Sequence, residues 1–259
     1  MPFTEAALLC ALAIVAGAIN AVAGGGTLLT FPALIALGVP SVVANATNTL
    51  ALFVGTAGSI FSLRHHLAAV KMWLWRFVPV SVFGGWLGGV LLTRTGERLF
   101  DVLVPFLLLF ATLVFIVQGL LSRFAGFPEH APVHPHRRMV WLGLLLQFGV
   151  AVYGGYFGAG IGILMLASLG LLGLSDLHQV NALKNVLASL INAVAAAWFI
   201  WSGLIDWPHA AVLTVGSVIG YFLGAHYSQR IPQRAVRGII VAIGLTIAAA
   251  QFWHQFGPR

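Results

Sequence analysis

The stretch VANATNTLALF, residues 43–53, places two amides and two hydroxyls within five residues of one another, in otherwise apolar sequence. The chain of 259 residues is 60% hydrophobic and 7% charged, whereas about a quarter of a typical soluble domain is charged. This composition predicts an all-α integral membrane protein. On a helix, Asn45, Asn48 and Thr49 share one face while Thr47 points away. The stretch therefore predicts a membrane helix with one polar face.

Apolar runs bounded by glycine, proline and charge predict ten helical segments. They lie at roughly 5–23, 27–38, 41–62, 73–93, 99–121, 139–157, 161–174, 177–201, 207–228 and 235–256. Because about 20 residues are needed to cross the hydrocarbon core, segments 27–38 and 161–174 are too short for straight spanning helices. We expect these two to be broken or re-entrant helices. No Lys or Arg precedes the first segment, which is therefore predicted to be a retained membrane helix rather than a signal peptide.

The distribution of positive charge predicts the orientation. The net charge of +7 comes without a basic cluster, so it is typical of cytoplasmic loops and does not indicate nucleic-acid binding. If all ten segments cross and the N-terminus is outside, nine Lys and Arg residues face the cytoplasm and three face outward. The positive-inside rule then predicts that both termini are periplasmic.

The second half of the chain aligns with the first half without a gap. AGGGTLL (23–29) falls on AGIGILM (159–165), and NATNT (45–49) falls on NALKN (181–185). The alignment matches glycines with glycines and amides with amides. It predicts two homologous halves, each with its own polar helix face.

The predicted halves are a first membrane repeat at 1–122 and a second at 138–259, joined by a cytoplasmic linker at 123–137. Each half contains five predicted segments. Because five is odd, the second repeat is predicted to be inverted in the membrane relative to the first. Inverted repeats with paired interrupted helices are typical of secondary transporters, whose sites lie near the bilayer midplane.

Lys184 is the only charged residue within a predicted segment and away from its ends. Such a residue is costly in a membrane and usually faces a cavity, and an anionic ligand would supply its missing partner. The alternative is that Lys184 extends to the interface. For the asparagines, the alternative is hydrogen bonding between helices.

Glycines precede both short segments, where they break the helix. The free N–H groups at a helix N-terminus attract anions, and Thr27 is predicted to cap the first short helix. Glycines spaced by four elsewhere predict close helix packing. The predicted substrate-binding residues are Asn45, Asn48, Thr49, Asn181, Lys184, Asn185, Gly24, Gly25, Gly26, Gly160 and Gly162. The sequence predicts no catalytic residue, metal site or cofactor.

These motifs resemble a known family. AGAINAVAGGGTLLTFPALIALGVPSVVANATNTLALFVGTAGS (16–59) and GAGIGILMLASLGLLGLSDLHQVNALKNVLASLINAVAA (158–196) are similar to the two repeats of the TauE/SafE, or four-TMS-unit, sulfite exporter family. The resemblance covers nearly the whole chain, although the family name counts four units per half rather than five. It implies a prokaryotic inner-membrane permease for sulfite, sulfonates or related anions, without choosing among them. The residues matching its motifs are Asn45, Asn48, Asn181, Lys184 and Asn185.

The sequence therefore predicts a secondary transporter for a small sulfur oxyanion or sulfonate in the lipid bilayer, acting in export. One alternative is an anion channel or a passive subunit of a larger membrane complex. Another is a membrane-embedded enzyme, for which no segment offers a nucleophile or metal ligands. All six acidic residues lie at segment ends or in loops, so we expect voltage-driven export without a coupling ion.

Overall fold

The computed structural model describes residues 1–22, 25–67, 70–124, 137–170, 177–227 and 233–256. These residues form ten helices and no strand: α1 (Phe3–Val22), α2 (Thr27–Ala36), α3 (Ser41–Leu67), α4 (Lys71–Thr95), α5 (Glu97–Phe124), α6 (Arg137–Tyr156), α7 (Ile161–Gly170), α8 (Leu177–Trp201), α9 (Trp207–Tyr227) and α10 (Gln233–Phe256). Each predicted segment corresponds to one helix, which confirms the all-α fold. Gly24 and most of the 123–137 linker lie outside the described residues.

The helices fall into two length classes. Within the described residues, α1, α4, α5, α6 and α8 are long and apolar enough to cross a membrane, by length and composition. Helices α2 and α7 contain 10 residues each and are therefore about 15 Å long, half the thickness of the hydrocarbon core. The predicted short helices are confirmed, and the chain is a multi-pass membrane protein.

Helices α1 and α9 run parallel and pack closely at glycines. Gly220 lies against the backbone of Ile14, and Gly224 lies against Ala18, where an added Cβ would come within 2.6 Å of the Ala18 Cα. From Gly220 to Gly224 the contacted residue moves from Ile14 to Ala18, so the two helices run in the same direction. Glycines on α4 make the same kind of parallel contact with α6. The close packing predicted from glycine spacing is therefore confirmed.

Two further interfaces are also parallel. Between α3 and α9, the Asp206 N–H donates to Thr47 Oγ1 at 3.0 Å, and one turn further along α3 the Ser217 hydroxyl donates to the Ala51 carbonyl at 2.9 Å. Helix α4 also runs parallel to α8. Gly85 of α4 lies beside Ile191 of α8, and further along both helices the Trp198 indole N–H donates to Thr93 near the end of α4. Thus α1, α3 and α9 share one direction, and α4, α6 and α8 share another.

These two directions are opposite. The end of α4 lies at the beginning of α3, since only Gly96 separates α4 from Glu97. The Glu97 carboxylate accepts hydrogen bonds from the Ser41 hydroxyl at 2.8 Å and the Val42 N–H at 3.0 Å. Helix α6 therefore runs opposite to α1. Because α1 and α3 are parallel, as are α6 and α8, the chain reverses direction between them, at α2 and at α7.

The helix order repeats with one irregularity. Helices α8, α9 and α10 begin at the positions that the sequence alignment pairs with the beginnings of α3, α4 and α5. Helices α6 and α7, however, each begin two residues before the positions paired with the beginnings of α1 and α2. A difference of two residues is within the range by which helix ends vary, so it does not test the predicted alignment. When each helix of α1–α5 is paired with the corresponding helix of α6–α10, the α1–α9 interface corresponds to the α6–α4 interface. The α3–α9 interface corresponds in the same way to the α8–α4 interface.

Candidate functional site

The polar face of α3 lies inside the bundle. Asn45, Asn48 and Thr49 are 0%, 1% and 7% exposed. The Asn45 amide nitrogen donates to the carbonyl of Tyr156 at the end of α6, at 2.9 Å, and the Thr49 hydroxyl donates to the Asn45 carbonyl at 2.8 Å. Among the described residues, the buried Oδ1 of Asn45 has no hydrogen-bond partner. This face therefore holds α3 against the break that follows α6.

Asn48 connects α3 to the beginning of α2. The Thr30 hydroxyl is hydrogen-bonded to Asn48 Oδ1, and it also lies 3.0 Å from the Gly26 carbonyl. A hydroxyl carries one proton, so it donates to one acceptor at a time. With the oxygen and nitrogen of the Asn48 amide exchanged, the amide nitrogen donates to Thr30 while Thr30 donates to Gly26. Thr30 was not predicted, because a lone threonine in an apolar helix carries no distinct signal.

The break before α2 is built differently from the prediction. Gly26 is the N-cap residue and no side chain caps the helix, so the predicted capping role of Thr27, the first helical residue, is wrong. Gly25 adopts a φ of +112°, which strongly favours glycine. Its N–H donates to Asn20 Oδ1 at 3.1 Å. The side chain of Asn20, near the end of α1, therefore stabilises the turn.

The break before α7 is similar in kind. Gly158 and Gly160 adopt φ values of +79° and +76°, and the Tyr153 hydroxyl donates to the Ala159 carbonyl between them at 2.8 Å. Within the described residues, the Gly162 N–H in the first turn of α7 makes no hydrogen bond. The turn therefore presents a free backbone donor at a helix N-terminus.

The side chain of Lys184 lies beside Gly162. A Cβ placed on Gly162 would be 3.7 Å from Cδ and 4.0 Å from Cε of Lys184. The stem of the lysine thus passes within van der Waals distance of the Cβ position of Gly162. In the described part of the chain, the ammonium group has neither a hydrogen bond nor an ion pair. The structure therefore brings two predicted site residues together and leaves both with unused donors.

The polar face of α8 is only partly buried. Asn181, Lys184 and Asn185 are half-buried, and none has a hydrogen-bond partner among the described residues. At 100° per residue, Asn185 lies about 160° around the helix from Trp201, which is 77% exposed on the outer surface. The predicted face therefore points away from the outer surface of α8.

The two helix breaks meet at Phe115 of α5. Its ring lies directly against Gly25, and a Cβ placed on Gly160 would be 3.6 Å from the same ring. The C-terminal ends of α1 and α6, which precede these breaks, therefore lie close to the same ring. Phe115 was not predicted, because a phenylalanine in an apolar helix has no distinguishing pattern.

The two halves of the predicted site meet at these breaks, where Asn45 bonds the end of α6 and both breaks contact Phe115. In the described part of the chain, no hydrogen bond connects Asn45, Asn48 or Thr49 with the polar face of α8. Gly25 and Gly160 approach a common ring, and Gly162 lies beside Lys184. Gly24 lies outside the described residues.

The chain is similar to known proteins over nearly its whole length. Residues 9–251 match the family model of the sulfite exporter TauE/SafE. A probable membrane transporter protein of Haemophilus influenzae is 31% identical over 254 residues, which cover 96% of this chain and 95% of that protein. The probable membrane transporter proteins YfcA of Escherichia coli and ORF9 of a Sinorhizobium species are each 27% identical, cover 96% of this chain, and are themselves covered to 90% and 92%. No solved structure matches significantly. The predicted resemblance is confirmed: the chain belongs to the TauE/SafE sulfite exporter family of membrane transporters.

Proposed function

We propose that this chain is a secondary transporter that exports a small sulfur-containing anion, such as sulfite or an organosulfonate, across a prokaryotic inner membrane. The observation that carries the proposal is Lys184, which has no counter-charge in the described part of the chain. A charged residue at the centre of a membrane helix costs about 2.5–3.5 kcal/mol on insertion scales. A bound anion would offset that cost.

The donors around Lys184 fit this class of substrate. Deprotonated sulfite and sulfonates present several oxygen acceptors on one sulfur atom and no donor. Lys184 offers an ammonium group, Asn181 and Asn185 offer amide donors, and Gly162 offers a free backbone N–H. Charge-assisted hydrogen bonds of this kind are the strong ones. The N-terminus of α7, led by Gly160, adds a partial positive charge.

The amides of α3 have a supporting role in this proposal. Asn45, Asn48 and Thr49 are buried and hold α3 against α2 and the end of α6. They place Gly25, Gly26 and the opposite break at the level of the anion. Gly24 completes the proposed set.

The transport path follows from two inverted repeats, 1–122 and 138–259, with a cytoplasmic linker at 123–137 and both termini periplasmic. The opposite directions of α1 and α6, and the return of the chain through α2 and α7, support this topology. In such an arrangement the two breaks lie near the bilayer midplane, where substrate sites of inverted-repeat transporters are found.

A thermal-shift panel on the purified protein tests the substrate class. Sulfite, thiosulfate, a short alkanesulfonate, sulfate and chloride are compared at matched ionic strength. An anion present at 100 times its Kd would stabilise the fold by about 2.7 kcal/mol. The two lysines of the chain supply matched variants, because Lys71 is exposed at the beginning of α4. We expect a sulfur anion to raise the midpoint of the wild type and Lys71→Ala, but not of Lys184→Ala. No shift with any sulfur anion would contradict the substrate class.

A further inference from the structure

We propose that Phe115 is the occluding side chain, which closes the path between the two helix breaks. The proposal rests on the proposed function only in treating the chain as a transporter. Phe115 is 1% exposed, and its ring lies between Gly25 of the first break and Gly160 of the second. The carbonyl of Ala111, one turn earlier on α5, also approaches Gly160.

The two glycines create the space that the ring fills. Both have positive φ values, so their backbones turn sharply. As glycines they also carry no Cβ towards α5. At Gly25 an added Cβ would overlap the Phe115 ring itself. A ring packed on two backbone turns leaves no space for water, because protein interiors are close-packed.

The ring also lies between the two turns that lead to these donors. On one side of it, Gly25 leads to the Thr30–Asn48 pair. On the other side, Gly160 leads to Gly162 and the Lys184 ammonium. A phenyl ring donates no hydrogen bond to an anion, so an anion leaving Lys184 towards the first break must displace it. Phe115 therefore determines whether the donors of α8 are accessible from one side of the membrane or from both.

Phe100 lies on the same helix as Phe115 but packs against other aromatic rings. Phe100, also on α5 and fully buried, packs against the rings of Phe31, Tyr156 and Phe157, with centroid separations of 6.3, 5.7 and 6.3 Å. It is therefore a matched control with the same side chain, helix and burial.

The test measures access to a single reporter cysteine. The native cysteine is removed by Cys10→Ala, and Asn185→Cys places the reporter on the polar face of α8. A membrane-impermeant cationic methanethiosulfonate reagent is then applied to right-side-out and inside-out membrane vesicles. With Phe115 present, we expect the reporter to react from one side. In Phe115→Ala we expect this sidedness to be lost, with similar rates from both sides, whereas Phe100→Ala retains it.

Three results would overturn the proposal: reaction from both sides with Phe115 present, sidedness retained in Phe115→Ala, or equal loss in Phe100→Ala. If Phe115→Ala does not yield a monodisperse protein, Phe115→Leu keeps an apolar group and is expected to give a partial loss. The only sulfur anion present is the methanesulfinate that the reagent releases on labelling, no transport substrate is added, and the readout is labelling rather than anion binding. Failure of the thermal-shift panel would therefore count against the substrate class, and failure here would count against Phe115.

Discussion

The polar faces of α3 and α8 occupy equivalent places in the two halves, yet they are used differently. On α3, Asn45, Asn48 and Thr49 are almost completely buried and each makes a hydrogen bond. On α8, Asn181 and Lys184 are half-buried and, within the described residues, make none. The same kind of sequence stripe thus stabilises the fold in one half and leaves donors free in the other.

The difference shows why a repeated polar motif does not by itself identify a binding site. Polar side chains in membrane proteins commonly connect helices, and only their partners distinguish this role from ligand binding. On α3, one of the partners is a backbone carbonyl, that of Tyr156. On α8, the neighbour of Lys184 is Gly162, which offers no acceptor side chain. The glycine therefore leaves the lysine free to bind an anion.

The largest expected effect comes from the charge on α8. Lys184→Ala is expected to abolish binding of sulfur anions, and Lys184→Glu is expected to be worse because it adds repulsion. Lys184→Arg is expected to retain part of the affinity, since the charge is kept while the geometry changes. Transport by Lys184→Glu at wild-type protein levels, measured in proteoliposomes, would show that α8 does not supply the counter-charge.

The next prediction concerns the driving force of transport. Measuring that force also tests whether α3 binds a coupling ion. Neither polar face carries a carboxylate. Glu97 accepts hydrogen bonds from the first turn of α3, and Asp206 caps α9 and lies 2.9 Å from His209. We therefore expect uncoupled export, in which 100 mV contributes about 2.3 kcal/mol per charge, or roughly a fiftyfold gradient.

Proteoliposomes loaded with the anion measure this directly. An imposed potential, without a proton or sodium gradient, is expected to drive net efflux. Efflux that instead follows a sodium gradient at zero potential would make the unpartnered Oδ1 of Asn45 a cation ligand, and the face of α3 would no longer be only structural. Efflux that follows a proton gradient would make Asp176, which lies outside the described residues, the first residue to mutate.

Much of the fold follows from the sequence, because apolar runs and glycine breaks are local signals. The isolation of Lys184 was equally visible, since no other charge lies within a segment and away from its ends. Thr30 and Phe115 could not be found in this way, because their importance depends on which backbone turns they meet.

A smaller effect separates the two asparagine roles. Asn48→Leu removes a buried hydrogen bond between α3 and α2 and is expected to destabilise the fold by about 1 kcal/mol, the scale of such bonds in membrane proteins. Asn185→Leu is expected to leave the unfolding midpoint nearly unchanged and to weaken the stabilisation by sulfur anions. Thermal unfolding of both variants, with and without anion, measures the contrast. An unchanged midpoint together with lost anion stabilisation in Asn48→Leu would reverse the roles assigned to the faces.

The smallest expected effect is that of Gly162→Ala. The added Cβ would lie 3.7 Å from Lys184 Cδ, an ordinary van der Waals distance, and the backbone N–H is retained. Alanine is favoured over glycine in a helix by about 1 kcal/mol, so a slight rise in the unfolding midpoint is expected, with little change in anion affinity. Gly160→Ala is the matched contrast, because a φ of +76° costs a non-glycine residue about 1–2 kcal/mol. If Gly162→Ala eliminates anion binding as fully as Lys184→Ala, the anion lies against the Gly162 Cα itself. The backbone of α7, rather than the lysine head, would then be the principal contact.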